Sequence, residues 1–328
     1  DWDSPDLRVY RLDGTTAVAA TAGEENPDPL LATYFLVCGV AEQGQARNPM
    51  GVPIARASRL WKKDVLQRPA VAEIGSRLRR RLEDALAARN QSLEIVARWP
   101  QGRRYAVLLT HDVDRPLSRP PASHYRRRVR RDLNRRDIRG AARGVAGFLK
   151  NVVLRGDSGS RPEKDPQFGF ATWMRAAREL GIRSAFYVAV RDAADELAFP
   201  QDVYYDASHP AIVSAMRSAV KHGFEVGLHA SIACRGREEL FEQEREKLSG
   251  LLDGAEVAGL RHHYWALRAD HPEATLAAHE RAGFRYDSSL GMNDALGFRR
   301  GMAVPFHPFD RSRDSELSIL QVPPTAMD

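Results

Sequence analysis

The chain has no run of the roughly 18 consecutive apolar residues that a membrane-spanning helix needs, which excludes such a span on sequence grounds. Its 328 residues contain only two cysteines, Cys38 and Cys234. Two are too few for a disulfide framework and suit a reducing compartment, so a cytoplasmic location is expected. Both are expected to be small buried hydrophobes without a reactive role. No apolar leader opens the chain, because Asp1-Trp2-Asp3-Ser4-Pro5 is polar. With no initiator Met, the chain is expected to begin after the start of its gene product. Nowhere do two histidines stand at H-x-x-x-H spacing, so any metal site must be assembled from distant parts of the sequence.

Charge of one sign is unevenly spread. The net charge is +6, yet residues 119–161 hold 13 Lys and Arg against 3 Asp, a local +10 that leaves −4 for the rest. The densest part is Arg126-Arg127-Arg128, Arg130-Arg131 and Arg135-Arg136. Such a stretch can meet an anionic surface, and a weak contact of that kind through Arg126–Arg136 is one reading. The other is a solvated helical insertion, which is preferred. Nucleic acid is not expected as a partner, because Tyr125 and Phe148 are the stretch's few aromatics and base stacking has little to work with.

Two textures divide the chain. Residues 1–103 open irregularly, pass through the apolar segment Leu30–Val40, and contain a helix after Pro69 in which Val71, Ile74, Leu78, Leu82 and Leu86 recur at three- and four-residue spacing. The arginines at 77 and 79–81 fall mostly on its other face. From residue 104 onward, strand and helix patterns alternate. Strand-like runs cover 104–109, 184–190, 224–228, 257–260, 284–286 and 317–322, and the helical segments between them stop at Gly181, Gly223, Gly254 and Gly283. Repeated βα units predict a parallel sheet or barrel whose working face lies at the C-terminal strand ends. A basic insertion, about 115–165, interrupts the first unit.

The most informative residues stand at those strand ends. His111-Asp112-Val113-Asp114 follows the apolar run Tyr105–Leu109. Asp112 and Asp114 share one side of an extended chain, so one can bind a cation while the other handles a proton. Two solvated acids at a strand end would give the same pattern. Later strands deliver His229, then Arg261-His262-His263-Tyr264, then Asp287-Ser288-Ser289. A carboxylate with two imidazoles and an open position suits zinc or another first-row divalent metal that activates water.

These segments, taken in order, resemble the polysaccharide deacetylase superfamily, the NodB-homology carbohydrate esterases, in its D-x-D form. Thr110–Asp114 resembles its first motif and Gly181–Tyr187 its second strand. His209–Ile212 with His222–His229 resembles the approach to its metal-binding His motif. Gly259–Tyr264 resembles its arginine motif, and Gly283–Leu290 its following aspartate motif. Residues 1–103 are similar to the accessory module that precedes this domain in a bacterial subset. The resemblance implies a distorted parallel (β/α) barrel over 104–328 with a smaller N-terminal α/β domain. It also implies a divalent metal, usually zinc, and hydrolysis of an N-acyl group on a carbohydrate substrate. Matched by position, Asp112 is the general base, Asp114 the metal carboxylate, His229 the first metal histidine and Arg261 the residue that orients the base.

Two departures from the pattern matter. The second metal His of the family falls here on Ala233, so His263, with His262 behind it, is taken as the replacement. The family's C-terminal general-acid His has no counterpart before Asp328. Either the chain is expected to continue beyond 328, which is preferred, or His307 in Pro305-Phe-His-Pro-Phe309 serves instead. Rival readings are hydrolysis of a small cyclic amide or imide on the same fold, and a non-catalytic carbohydrate-binding module of a polysaccharide-assembly system. Tyr264, Trp265 and Phe306 lean toward a glycan. The sugar, the metal and the oligomeric state stay open.

Overall fold

The computed structural model describes residues 7–12, 16–21, 29–191, 203 and 205–327. The polar opening Asp1–Pro5 lies outside them. In chain order the elements begin with β1 (Leu7–Leu12), β2 (Thr16–Thr21), α1 (Pro29–Val37), α2 (Arg59–Lys62) and α3 (Ala70–Ala87). Next come β3 (Leu109–Val113), α4 (Ala122–Asn134), α5 (Ile138–Phe148), α6 (Phe170–Glu179), β4 (Ser184–Val188) and α7 (Pro210–Lys221). They are followed by β5 (Glu225–Ala230), α8 (Glu239–Leu251), β6 (Gly259–His262) and α9 (Pro272–Arg281). Four very short strands close the order: β7 (Tyr286–Asp287), β8 (Phe309–Asp310), β9 (Ser315–Glu316) and β10 (Leu320–Gln321). Among the described residues no helix is long and apolar enough to cross a membrane.

The chain forms two compact units. The first gathers residues 1–107, 264–280 and 285–328, and the second takes 108–263 and 281–284. The first unit therefore combines segments from both ends of the sequence.

In the first unit, β1 and β2 pair antiparallel, β7 and β10 pair parallel, and β8 and β9 pair antiparallel. A small apolar core joins Leu36 of α1, Leu60 of α2, Ala70 and Val71 of α3, and Met292. α3 forms where the three- and four-residue spacing predicts it, with Val71 and Ile74 buried and Arg79 paired to Glu83 one turn on. Beside this core lies a buried ionic network. Arg299 grips both oxygens of Glu42 at 2.8 Å, and Arg300 sits 3.1 Å from Glu42 and 3.1 Å from Glu273. Gly39 makes room for it. A Cβ there would fall on the Arg300 guanidinium, and the φ of +64° already disfavours any L side chain.

The second unit holds four parallel strands in the order β3-β4-β5-β6, joined through helices as a βα pattern requires. β4 is buried along its whole length, and the apolar faces of α7 (Ile212, Met216, Ala219) and α8 (Leu240, Phe241, Leu248) are buried too. Gly181, Gly223, Gly254 and Gly283 all take positive φ just after their helices, as the stop signals predict. Within this unit the strands form an open ladder, and barrel closure is not among its features.

One strand is displaced from its expected place. The apolar run predicts β3 over 104–109, but β3 is Leu109–Val113, and Val107 is 78% exposed. The partner strand sets the limit. β4 starts at Ser184, which pairs with Leu109, so residues before 109 have nothing to pair with. Asp112 thus sits inside the strand, and Asp114 stands just beyond its end. The two cysteines, Cys38 and Cys234, are free and buried.

Candidate metal centre

The strand register explains how residues so far apart in sequence meet. Asp112 pairs with Tyr187, Tyr187 with Gly227, and His229 with Arg261. With a period of two, Asp112, Tyr187 and Gly227 make one row across the sheet. Asp114, His229 and Arg261 belong to the next row toward the C-terminal ends. His263 follows directly after β6.

In this second row Asp114, His229 and His263 each offer a ligand atom, and the three atoms all lie within 4.8 Å of one another. His229 Nε2 is 3.0 Å and His263 Nε2 3.7 Å from Asp114 Oδ1. Tetrahedral ligands of a divalent ion are about 3.4 Å apart, so this set fits with small adjustments. Beyond their mutual contact, Asp114 Oδ1 and His229 Nε2 are buried without a hydrogen-bond partner among the described residues. A carboxylate oxygen and an imidazole nitrogen whose close polar contact is with each other can both turn to a cation. The other ring nitrogen, His229 Nδ1, lies 3.0 Å from the Arg261 carbonyl, an acceptor that sets Nδ1 as the donor and aims Nε2 at Asp114.

Electrostatics agree with geometry. Burial disfavours the His229 imidazolium, yet Asp112 and Asp114 outweigh it and lift the His229 pKa to about 9. Burial likewise pushes Asp114 up, but the His229 hydrogen bond and charge, with His263 and Arg115, hold it at about 2. A proton on His229 therefore occupies the place where a divalent cation would compete.

Asp112 is held differently. Arg261 Nη1 donates to Asp112 Oδ1 at 2.9 Å, reaching back one row with its guanidinium over the Tyr187 ring, 4.6 Å from its centroid. Gly227 makes this crossing possible, since a Cβ there would stand 2.8 Å from both the Tyr187 ring and the Gly259 carbonyl. Gly227→Ala is expected to displace Tyr187 and cost about 1–3 kcal/mol of stability, the usual penalty for overpacking a tight site. Its melting temperature, with the distance in a crystal structure of the variant between Arg261 and Asp112, checks this. An undisturbed pair would refute it. Asp112 Oδ2 is buried and has no hydrogen-bond partner among the described residues.

The expected residues divide as follows. Asp112, Arg261, Asp114, His229 and His263 come together in the second unit. His262 is buried edge-on against Phe241 and serves packing. Ala233, at the position where the resemblance implies a second metal histidine, is buried in a short turn. In the first unit, Asp287 turns inward to Ser289 and His279. Trp265, expected to lean toward a glycan, is buried there, while His307 is exposed. The cluster draws on the second unit alone.

Two contributors escape a reading of the sequence. Glu244 of α8 is buried and accepts from Ser231 Oγ at 2.6 Å and Arg191 Nε at 3.0 Å, fixing the chain two residues past His229. A charged residue on an amphipathic helix gives no local sign that it turns inward. Trp173 of α6 is 52% exposed and, with Asp112, Asp114, Gln167 and Phe170, lines a cavity of about 100 Å³. Its signal, one aromatic on a helix, is shared by every packed tryptophan.

The sequence matches no family model and no curated protein. Among solved structures it is similar to a Mycobacterium smegmatis protein provisionally described as a polysaccharide deacetylase, with 18% identity and a TM-score of 0.39. The likeness covers 71% of this chain and 63% of that one.

Proposed function

We propose that this chain is a metal-dependent hydrolase of amide bonds. The observation that carries the reading is the pairing of an Asp-His-His cluster, its two histidines buried and Asp114 half-buried, with a separate carboxylate, Asp112, that keeps one oxygen unengaged. More particularly, we read it as an N-deacetylase acting on an N-acetylated saccharide.

Asp114, His229 and His263 would hold the ion, and a mixed nitrogen and oxygen set suits zinc among first-row metals. When bound, a divalent ion there supplies Lewis-acid polarisation of an acyl carbonyl and a lowered pKa for water. The chain's own residues do the rest. Arg261 fixes Oδ1 of Asp112, which leaves Oδ2 to accept a proton from the attacking water. The cavity beside Asp112 and Asp114 has room for a small acyl group. Trp173 on its wall, half exposed while tilted against the His111 ring at 4.7 Å, supports a sugar ring over a small cyclic imide.

The test is metal retention. The purified chain should bind zinc or another first-row divalent ion in calorimetry, and Asp114→Ala should abolish that binding while leaving the circular dichroism melt of the metal-free chain in place. Wild-type chain with no affinity for any such ion would end the hydrolase reading. Release of acetate from N-acetylated glycan oligomers, against turnover of a cyclic imide, then separates the two substrates.

A further inference from the structure

The helical insertion between β3 and β4 has its faces arranged in an unusual way. α4 and α5 pack through small residues. A Cβ on Gly144 would come within 2.7 Å of Val129, and one on Gly147 within 2.6 Å of the Tyr125 ring. Gly140, Ala141 and Gly144 are the buried residues of α5. With its small side chains turned inward, the helix turns its large apolar ones outward. Ile138, Val145, Leu149 and Val153 recur at spacings of seven and four, which sets them on one stripe. The stripe runs from α5 through the wider helical turn Leu149–Val153. All four are exposed, Ile138 to 68%, and Leu154 beside them to 79%. Leu133 on α4 is exposed as well.

Cations border this stripe. Arg139, Arg143 and Lys150 follow it along the second helix, and Arg126 and Arg130 project from the first. None of these five makes an ion pair among the described residues. Arg126 and Arg130 also edge an apolar groove of about 410 Å³ whose walls include Val129, Leu133, Val145 and Phe148.

We propose that this face docks on an anionic lipid bilayer. The apolar stripe enters the boundary between headgroups and acyl chains, and the flanking Arg and Lys side chains reach the lipid phosphates. Charge and shape select this occupant. A second copy would bring two faces of local charge +10 together, which repel. Nucleic acid would leave the aliphatic stripe unused and find Tyr125, its nearest stacking platform, buried. A negatively charged, deformable, apolar-cored surface satisfies both halves of the face. The contact proposed is with the bilayer surface.

The experiment is flotation of the full chain with phosphatidylcholine vesicles, with and without phosphatidylglycerol. Wild type should float only with phosphatidylglycerol. At unchanged charge, Leu149→Ser combined with Val153→Ser should weaken binding by at least about tenfold, because two apolar side chains no longer enter the lipid. Arg139→Gln combined with Arg143→Gln should also weaken it. All four positions are exposed, so their melts should match wild type. An independent readout uses Val153→Cys carrying an environment-sensitive dye, selective because Cys38 and Cys234 are buried. The dye emission should shift to the blue on phosphatidylglycerol vesicles. Failure to float, binding that ignores the two serine substitutions, or an unshifted dye would each overturn the proposal. RNA binding of wild-type strength in the serine variant, without flotation, would assign the face to nucleic acid instead.

Discussion

Asp112→Asn is expected to lower amide hydrolysis by about 10²–10⁴-fold, the usual contribution of a positioned general base, while the chain keeps its metal. The substitution preserves size and the oxygen that Arg261 holds at 2.9 Å. It removes only the capacity of the second, unengaged oxygen to take a proton. Asp114, His229 and His263 are untouched, so metal content measured by mass spectrometry should equal that of wild type. Full turnover in Asp112→Asn would show that the proton goes elsewhere. Loss of metal would show that Asp112 is a ligand, and either result would redraw the roles of the two carboxylates.

The largest expected effect on stability lies in the first unit, at Glu42. Replacing it by Ala leaves Arg299 and Arg300 buried without their main counter-charge, a change that commonly costs about 3–5 kcal/mol. Faster amide hydrogen exchange in α1 and α3 would report it directly. A pH signature accompanies the loss. Burial would raise the Glu42 pKa, but Arg299 and Arg300 more than reverse this and bring it to about 2. A carboxylate held below its unfolded value contributes stability above that value, and the contribution fades as pH falls toward 2. It amounts to about 3 kcal/mol for a shift of this size. The stability gap between wild type and Glu42→Gln should therefore narrow between about pH 4.5 and pH 2. A gap independent of pH would mean that the network holds by shape and not by charge.

How much of this was legible in the sequence depends on how local each signal is. The helices that stop at Gly181, Gly223, Gly254 and Gly283 carry their own ends, because a left-handed residue is a property of one position. The polar residues that meet in the second unit were also visible. Chemistry placed after an apolar run stands out against a pattern made of buried side chains. The phase of β3 was not visible. Tyr105–Leu109 has the composition of a strand, but pairing with Ser184 decides where a strand begins. Gly227 reads as one more glycine until Tyr187 and Arg261 are seen crossing above it. The outward stripe of α5 is an ordinary amphipathic pattern in one dimension. Only Gly140 and Gly144, packed inward, reveal which face was given to solvent. Nor does any local feature announce that residues 264–280 and 285–328 belong with the N-terminal unit.

That last arrangement has a bearing on the order of events during synthesis. Glu42 and Arg299 are 257 residues apart in the chain. At common ribosomal rates the acid emerges about 10–50 s before the base that will neutralise its burial. In that interval Glu42 has neither arginine partner, so enclosing it in its ionised form would strand a charge. Residues 112–263 meanwhile contain every ligand and proton acceptor of the candidate centre. Asp112, Asp114, His229, Arg261 and His263 are therefore all synthesised before Arg299 and Arg300, the partners of Glu42.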